Sequence, residues 1–133
     1  MIVYILDTNT LIYFFKGMGN VSGHLFDTAP KDIGVPAIVV YELEVGIAKS
    51  TSPDKRKVQL KQFTSLVNVL PFGLDEAKAA AGLRADIEKK GAPIGPHDVL
   101  IAGTVMANTG ILVTHNTREF SRINSIKLED WYS

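Results

Sequence analysis

Cysteine is absent from the 133 residues, which removes disulfides and thiolate metal sites from consideration and is compatible with a reducing compartment. An excess of one charge is absent too. Fourteen Lys and Arg balance fourteen Asp and Glu, so the formal net charge is zero and there is no strongly basic footprint for nucleic acid. Any polyanion binding must come from local charge asymmetry or from an assembled oligomer. No apolar run approaches the roughly 20 residues of a membrane helix. Asp7 arrives too early for the apolar segment of a signal peptide. Internal repeats and low-complexity tracts are missing as well. The expectation is a cytoplasmic chain with no membrane involvement. With 46% hydrophobic residues, positions 1–133 fit one domain with a proper core and leave no room for a second.

What is present is organised around the opening stretch, MIVYILDTNT. Ile2 to Leu6 is short and almost wholly apolar, as expected of a strand buried on both faces in a parallel sheet. It stops at Asp7, Thr8, Asn9 and Thr10, at the carboxyl end, where open α/β sheets collect ligands and catalytic groups. Thr8 and Thr10 can satisfy backbone donors of the helix that follows, leaving Asp7 to face a crevice. The competing reading of Asp7 is that it simply caps that helix.

Leu11 to Phe15 is apolar without a gap, so its helix is expected to be covered on two sides, by the sheet and by either a partner subunit or a neighbouring loop. Lys16 to Ser22 reads as a loop and Gly23 to Thr28 as a short helix. Ile33 to Val35 is the second strand. From Ala37 a helical pattern runs to Ala48, and after a break at Ser50 to Pro53 another covers Asp54 to Leu66, the two forming an antiparallel hairpin. Val67 to Phe72 is the third strand. A long helix from Leu74 or Asp75 to Lys90 ends at Gly91, a C-terminal capping glycine. Pro96 opens a helix that runs to about Asn108. Ile111 to Thr114 is the fourth strand, His115 to Asn124 a loop or short helix, and Ile126 to Leu128 an edge strand, with Trp131 packing back on the body. This alternation predicts a three-layer α/β/α fold around a parallel sheet of four to five strands, with right-handed crossovers.

Three acids occupy comparable places: Asp7 after the first strand, Glu42 in the helix after the second, and Asp98 in the first turn of the helix at Pro96. Strand ends and helix starts share one edge of such a sheet, so all three can converge. Glu44, two places beyond Glu42, points about 200° away. Only one of the pair can face the crevice, and geometry barely separates them. An acid in a first helical turn is also favoured by the helix dipole, by roughly 0.3–1 kcal/mol, which accounts for Asp98 without chemistry. Two carboxylates about 4 Å apart repel by roughly 4 kcal/mol at an effective dielectric of 20, or about three pKa units. Three ionised acids together therefore call for a cation. Without cysteine that cation is hard and oxygen-loving, Mg²⁺ or Mn²⁺, and the matching chemistry is phosphodiester hydrolysis by an activated water.

LDTNTLIYF at the start, the YELEVG helix, IGPHDVLIAGTV and LVTHNTREFSRI with the terminal LEDW resemble the PIN-domain family end to end, and most of all its VapC-type ribonuclease toxins of bacterial toxin–antitoxin pairs. The resemblance implies a Mg²⁺- or Mn²⁺-dependent endoribonuclease acting on structured RNA such as transfer or ribosomal RNA loops. It places the family's acidic triad on Asp7, Glu42 and Asp98, both as catalytic residues and as metal ligands, choosing Glu42 over Glu44. Where many members carry a fourth acid after the fourth strand this chain has Asn116, which can coordinate only through its carbonyl or position a water, and Glu119 is the candidate fourth acid. A one-metal site is unaffected by that departure. Thr114 matches a family threonine that hydrogen-bonds the acids, and Thr8 and Asn9 are similar to residues ordering the first loop. Arg118 and Arg122 are candidate RNA contacts. His97 is set aside, because a metal-activated water needs no protein base. The family also implies a homodimer and a VapB-like antitoxin, in some cases in higher toxin–antitoxin assemblies. The antitoxin lays a peptide across the toxin's groove, for which the LIYFF helix offers an apolar surface.

Two other readings compete. An aspartate-nucleophile phosphatase would also begin with an acid after the first strand. It usually wants a second acid two places on to protonate the leaving group, and Asn9 stands there instead. The other is a PIN-fold binding module without activity, for which Asn116 is the supporting feature.

Overall fold

The computed structural model describes all residues, Met1–Ser133. In chain order it contains β1 (Tyr4–Leu6), α1 (Thr8–Lys16), α2 (Val21–Phe26), a 3₁₀ turn at Pro30–Asp32, β2 (Ile33–Pro36), α3 (Ala37–Ala48), α4 (Pro53–Leu66), β3 (Asn68–Leu70), α5 (Leu74–Lys89), α6 (Pro96–Ala107), β4 (Ile111–Val113), α7 (Thr117–Phe120) and β5 (Lys127–Glu129). The five strands form one sheet in the order β3-β2-β1-β4-β5, every pair parallel. This is the expected α/β/α architecture with five strands.

β1, β3 and β4 are shorter than the runs read from the sequence, whereas β2 extends one residue further, to Pro36. Ile2 and Val3 precede β1, yet Val3 still donates its N–H to Asp32 O and accepts from Ile111 N, so the ladder outlasts the regular strand. Ile5, Leu6, Val35, Leu112 and Val113 are wholly buried at the centre of the sheet, as strands covered on both faces require. Trp131 is buried as expected, stacked on His24 at 5.4 Å and tilted against Tyr4 at 5.2 Å, with its ring N–H donating to Glu129.

The LIYFF helix is covered in part within the chain, with Ile12 to Phe15 half-buried. Leu11 is buried, while Phe14 and Phe15 meet Phe63 of α4 at 5.5 and 6.1 Å. Tyr13 packs against Tyr132 of the carboxyl-terminal segment at 4.7 Å. The α3–α4 hairpin forms as read, through buried Leu43, Ile47, Leu60 and Phe63. The short second helix starts two residues earlier than its pattern suggested, at Val21, whose side chain is fully buried. Gly91 has φ +67° and ends α5 with Gly91 N–H donated to Glu88 O and Ala92 N–H to Ile87 O, the paired bonds a left-handed glycine permits.

β1 is the pivot of the topology. From it the chain builds β2 and β3 to one side, then crosses to place β4 and β5 on the other, so the strand order reverses between β1 and β4. Crevices form at such a switch point, outside the carboxyl ends of the strands. Asp7 follows β1 and Thr114 follows β4, one on each side of it.

Candidate active site

Asp7 is both the helix cap and a crevice acid. The structure corrects the proposed division of labour, in which Thr8 and Thr10 capped α1 and Asp7 was left free. Asp7 Oδ1 accepts from Thr10 N at 2.9 Å and so caps the helix, while Oδ2 accepts from Thr114 Oγ1 at 2.6 Å. The two threonine hydroxyls serve elsewhere: Thr10 donates to Val113 O at 3.1 Å, tying α1 to β4, and Thr8 donates to Glu42 Oε1 at 2.6 Å. Asp7 is 4% exposed, and burial pushes its carboxyl above the usual range. The hydrogen bonds from Thr10 and Thr114 oppose that rise, and the nearby Glu42 charge adds to it.

Glu42 faces this crevice and Glu44 is exposed, which separates the two glutamates that spacing alone could not. Glu42 is held from both sides, Thr8 on Oε1 and the His97 ring on Oε2, with Nδ1 at 3.3 Å. His97, set aside on the sequence, is therefore part of the site's frame. The signal for it was its place beside Asp98 in GPHD.

Asp98 reaches the same edge by a route other than the one anticipated. Its helix, α6, follows another helix rather than a strand. It still begins at the carboxyl edge, because it must deliver the chain to the amino end of β4. Gly95 N donates to Glu119 Oε1 at 2.9 Å and pins that start to the segment after β4. A Cβ at Gly95 would lie 3.3 Å from Asp98 Oδ2, so a residue given no site role on the sequence keeps space for the acid.

Asp98 is half-buried and its pKa rises to about 7, first through desolvation, then through the neighbouring Glu119 charge, with Asp7 and Glu42 adding to it. Glu119 moves the other way, held down chiefly by the Gly95 N–H and also by the Asn116 amide. Of this pair, Asp98 is the carboxyl pushed up and Glu119 the one held down. Glu119 has donors that stabilise its charge, whereas Asp98 is the more desolvated partner.

Asn116 donates its amide to Glu119 Oε2 at 2.8 Å, and its own N–H goes to Thr114 Oγ1 at 3.0 Å. A continuous chain of hydrogen bonds therefore runs from Asp7 through Thr114, Asn116 and Glu119 to Gly95 at the start of α6. Arg122 donates to Pro93 O at 2.9 Å, and its charge helps to lower Glu119. Arg118 is exposed on α7, and Asn9 is exposed on the first turn of α1 and takes part in none of these contacts.

The donor set is entirely oxygen, and neighbouring carboxylates help to raise Asp7 and Asp98, which is the chemistry that suits a hard divalent cation. No three acids or histidines close on one point as a ready-made cage.

A parallel sheet whose switch point brings together carboxylates from the end of β1 and from α3, α6 and α7 defines an α/β protein with an acidic cluster at one edge of its sheet. Residues 4–126 match the PIN domain. The chain belongs to the PIN domain family. It is 34% identical to the tRNA(fMet)-specific endonuclease VapC of Salmonella typhimurium, over 98% of this chain and 99% of that one. It is 32% identical to ribonuclease VapC2 of Rickettsia felis, over 97% and 98%. Solved structures agree in fold: DNA-bound VapBC from Salmonella typhimurium superposes with a TM-score of 0.92 at 34% identity, covering 98% of this chain and 99% of that one. VapBC2 from Rickettsia felis, bound to a promoter DNA fragment, gives 0.90 at 32% identity, with the same coverage.

Proposed function

We propose that this protein is a VapC-type endoribonuclease toxin that cuts structured RNA and is neutralised by a VapB-like antitoxin. The observation that carries this reading is the meeting of Asp7, Glu42, Asp98 and Glu119 at one edge, in a chain that matches ribonuclease relatives over nearly its whole length. Asp7, Glu42 and Asp98 are the catalytic acids, and Glu119 is the fourth. Mg²⁺ or Mn²⁺ is the cation they would hold, and it supplies Lewis-acid polarisation of the phosphate and a water of lowered pKa. The protein's own part is positional. Thr114 and the N–H of Thr10 fix both oxygens of Asp7, Thr8 and His97 fix Glu42, and Gly95 and Asn116 fix Glu119. Thr8, Thr114 and Asn116 thus hold acids in place, and Asn116 spends its amide on Glu119 rather than on a cation. Arg122 steadies the turn before α6, which leaves Arg118 as the freer candidate for an RNA phosphate.

The relatives' solved complexes support an antitoxin partner. A groove of about 400 Å³ between α1, α3 and α4 is lined by Ile12, Phe15, Leu43, Ile47 and Leu60 and reaches Glu42. A peptide lying in it would end at the acids. No helix is long and apolar enough to cross a membrane. The single domain is taken to act in the cytoplasm as a homodimer. Purified, antitoxin-free protein should cleave total cellular RNA with Mn²⁺ or Mg²⁺, stop on chelation, and lose at least a hundred-fold in rate as Asp7→Asn. Cleavage undiminished in chelator or in that variant would overturn the reading.

A further inference from the structure

The residue before Glu42 and the residue before Asp98 are both aromatic, and they meet. Tyr41 and His97 lie edge to face, ring centroids 5.6 Å apart and planes at 79°. Both are open to solvent: Tyr41 is 54% exposed and the His97 side chain 47%. Core packing therefore explains neither ring. The His97 ring is oriented by its Nδ1–H contact to Glu42 Oε2. The result is a two-walled aromatic corner beside the acids. His115 differs, since it stacks on Tyr132 at 4.3 Å and 28° and so spends one ring face on a neighbour in the chain.

We infer that the Tyr41–His97 corner is a nucleobase-stacking subsite, holding one unpaired base next to the phosphodiester that the acids engage. This rests on the endoribonuclease reading above. Single-stranded and looped RNA is held by stacking of splayed bases on aromatic side chains, and such stacking tolerates any base because every base has a π-face. A chain with zero net charge and an anionic cleft has little electrostatic attraction for RNA, so a contact to the base supplies binding that the phosphate cannot. The subsite requires an unpaired nucleotide beside the cut, which selects loops and bulges over continuous duplex. His97 acts here through its ring surface, not as an acid or base.

The test is binding of a fluorescently labelled nine-residue oligouridylate, and of a nine-residue abasic ribose–phosphate chain, to the full protein carrying Asp7→Asn so that the RNA survives. The base-bearing oligomer should bind about ten-fold more tightly than the abasic one. His97→Ala or Tyr41→Leu should weaken binding of the base-bearing oligomer by about ten-fold and leave the abasic chain unchanged. Tyr41→Phe keeps the ring surface and should stay within about two-fold of the parent. Equal binding of the two oligomers, equal loss for both on truncation, or a Tyr41→Phe variant as weak as Tyr41→Leu would overturn the subsite while leaving the ribonuclease reading standing. A protein that binds neither oligomer likewise overturns the subsite.

Discussion

At the scale of single residues, the electrostatic cost of the cleft falls on Asp7 and Asp98, whose pKa values are raised mainly by burial. A carboxyl whose folded pKa exceeds its unfolded value near 4 favours the folded state at low pH, and that contribution disappears as pH rises through the folded value. For Asp98 the window ends at about 7. Glu119 has the opposite sign and acts lower, its contribution vanishing only as pH falls below the ordinary glutamate range. Metal-free protein should therefore melt at a lower temperature at pH 8 than at pH 5.5. Asp98→Asn should flatten that slope and raise the melting temperature at pH 8, and scanning calorimetry in chelator at both pH values reads both effects. A slope unchanged by the substitution would remove Asp98 as its source. Thr114→Val makes a second case. Thr114 is fully buried and supplies the hydroxyl that Asp7 Oδ2 and Asn116 N share. Its loss strands a buried carboxylate oxygen and should cost about 1–3 kcal/mol in urea unfolding. These residues were legible to different degrees. Asp7, Thr114 and Asp98 stand next to breaks in strong apolar patterns. The partners of Thr8, Asn116, Arg122 and His97 lie 34, 3, 29 and 55 positions away, and three of those four separations are beyond what a local pattern encodes.

Among the elements, α5 and α6 form the closest contact, and glycine sets it. A Cβ at Gly103 would fall 2.6 Å from Ala80 Cβ and 2.8 Å from its backbone, so Gly103→Ala must push the helices apart. It should destabilise by about 1–3 kcal/mol, more than the roughly 1 kcal/mol that alanine gains in a helix. Gly82 on α5 meets nothing within 4 Å, and Gly82→Ala should instead stabilise by about 0.5–1 kcal/mol. Urea midpoints moving in opposite directions check the pair. The same helices mark where element-level reading stopped. Apolar periodicity located α5 and α6 and the Gly91 stop between them, but periodicity says nothing about which edge a helix that follows a helix will start from. The return to β4 decides that, and only a topology contains it.

For the whole molecule, the order β3-β2-β1-β4-β5 turns scattered acids into one cleft and leaves an apolar groove leading to it. Gly46 lines that groove with open space beside it. Gly46→Phe should fill it and cut co-purification of a co-expressed cognate antitoxin at least ten-fold, with the far-ultraviolet circular dichroism and melting temperature of the toxin unchanged. Retention of the antitoxin at parental levels would place it elsewhere. The proposed function has the carboxylates at the switch point hold a divalent ion, and calorimetric titration of Mn²⁺ into the antitoxin-free chain at pH 7.5 measures this directly. The expected result is one saturable binding event in the parent that is absent from Asp7→Asn and Asp98→Asn; no binding in the parent, or equal binding in all three proteins, would contradict it.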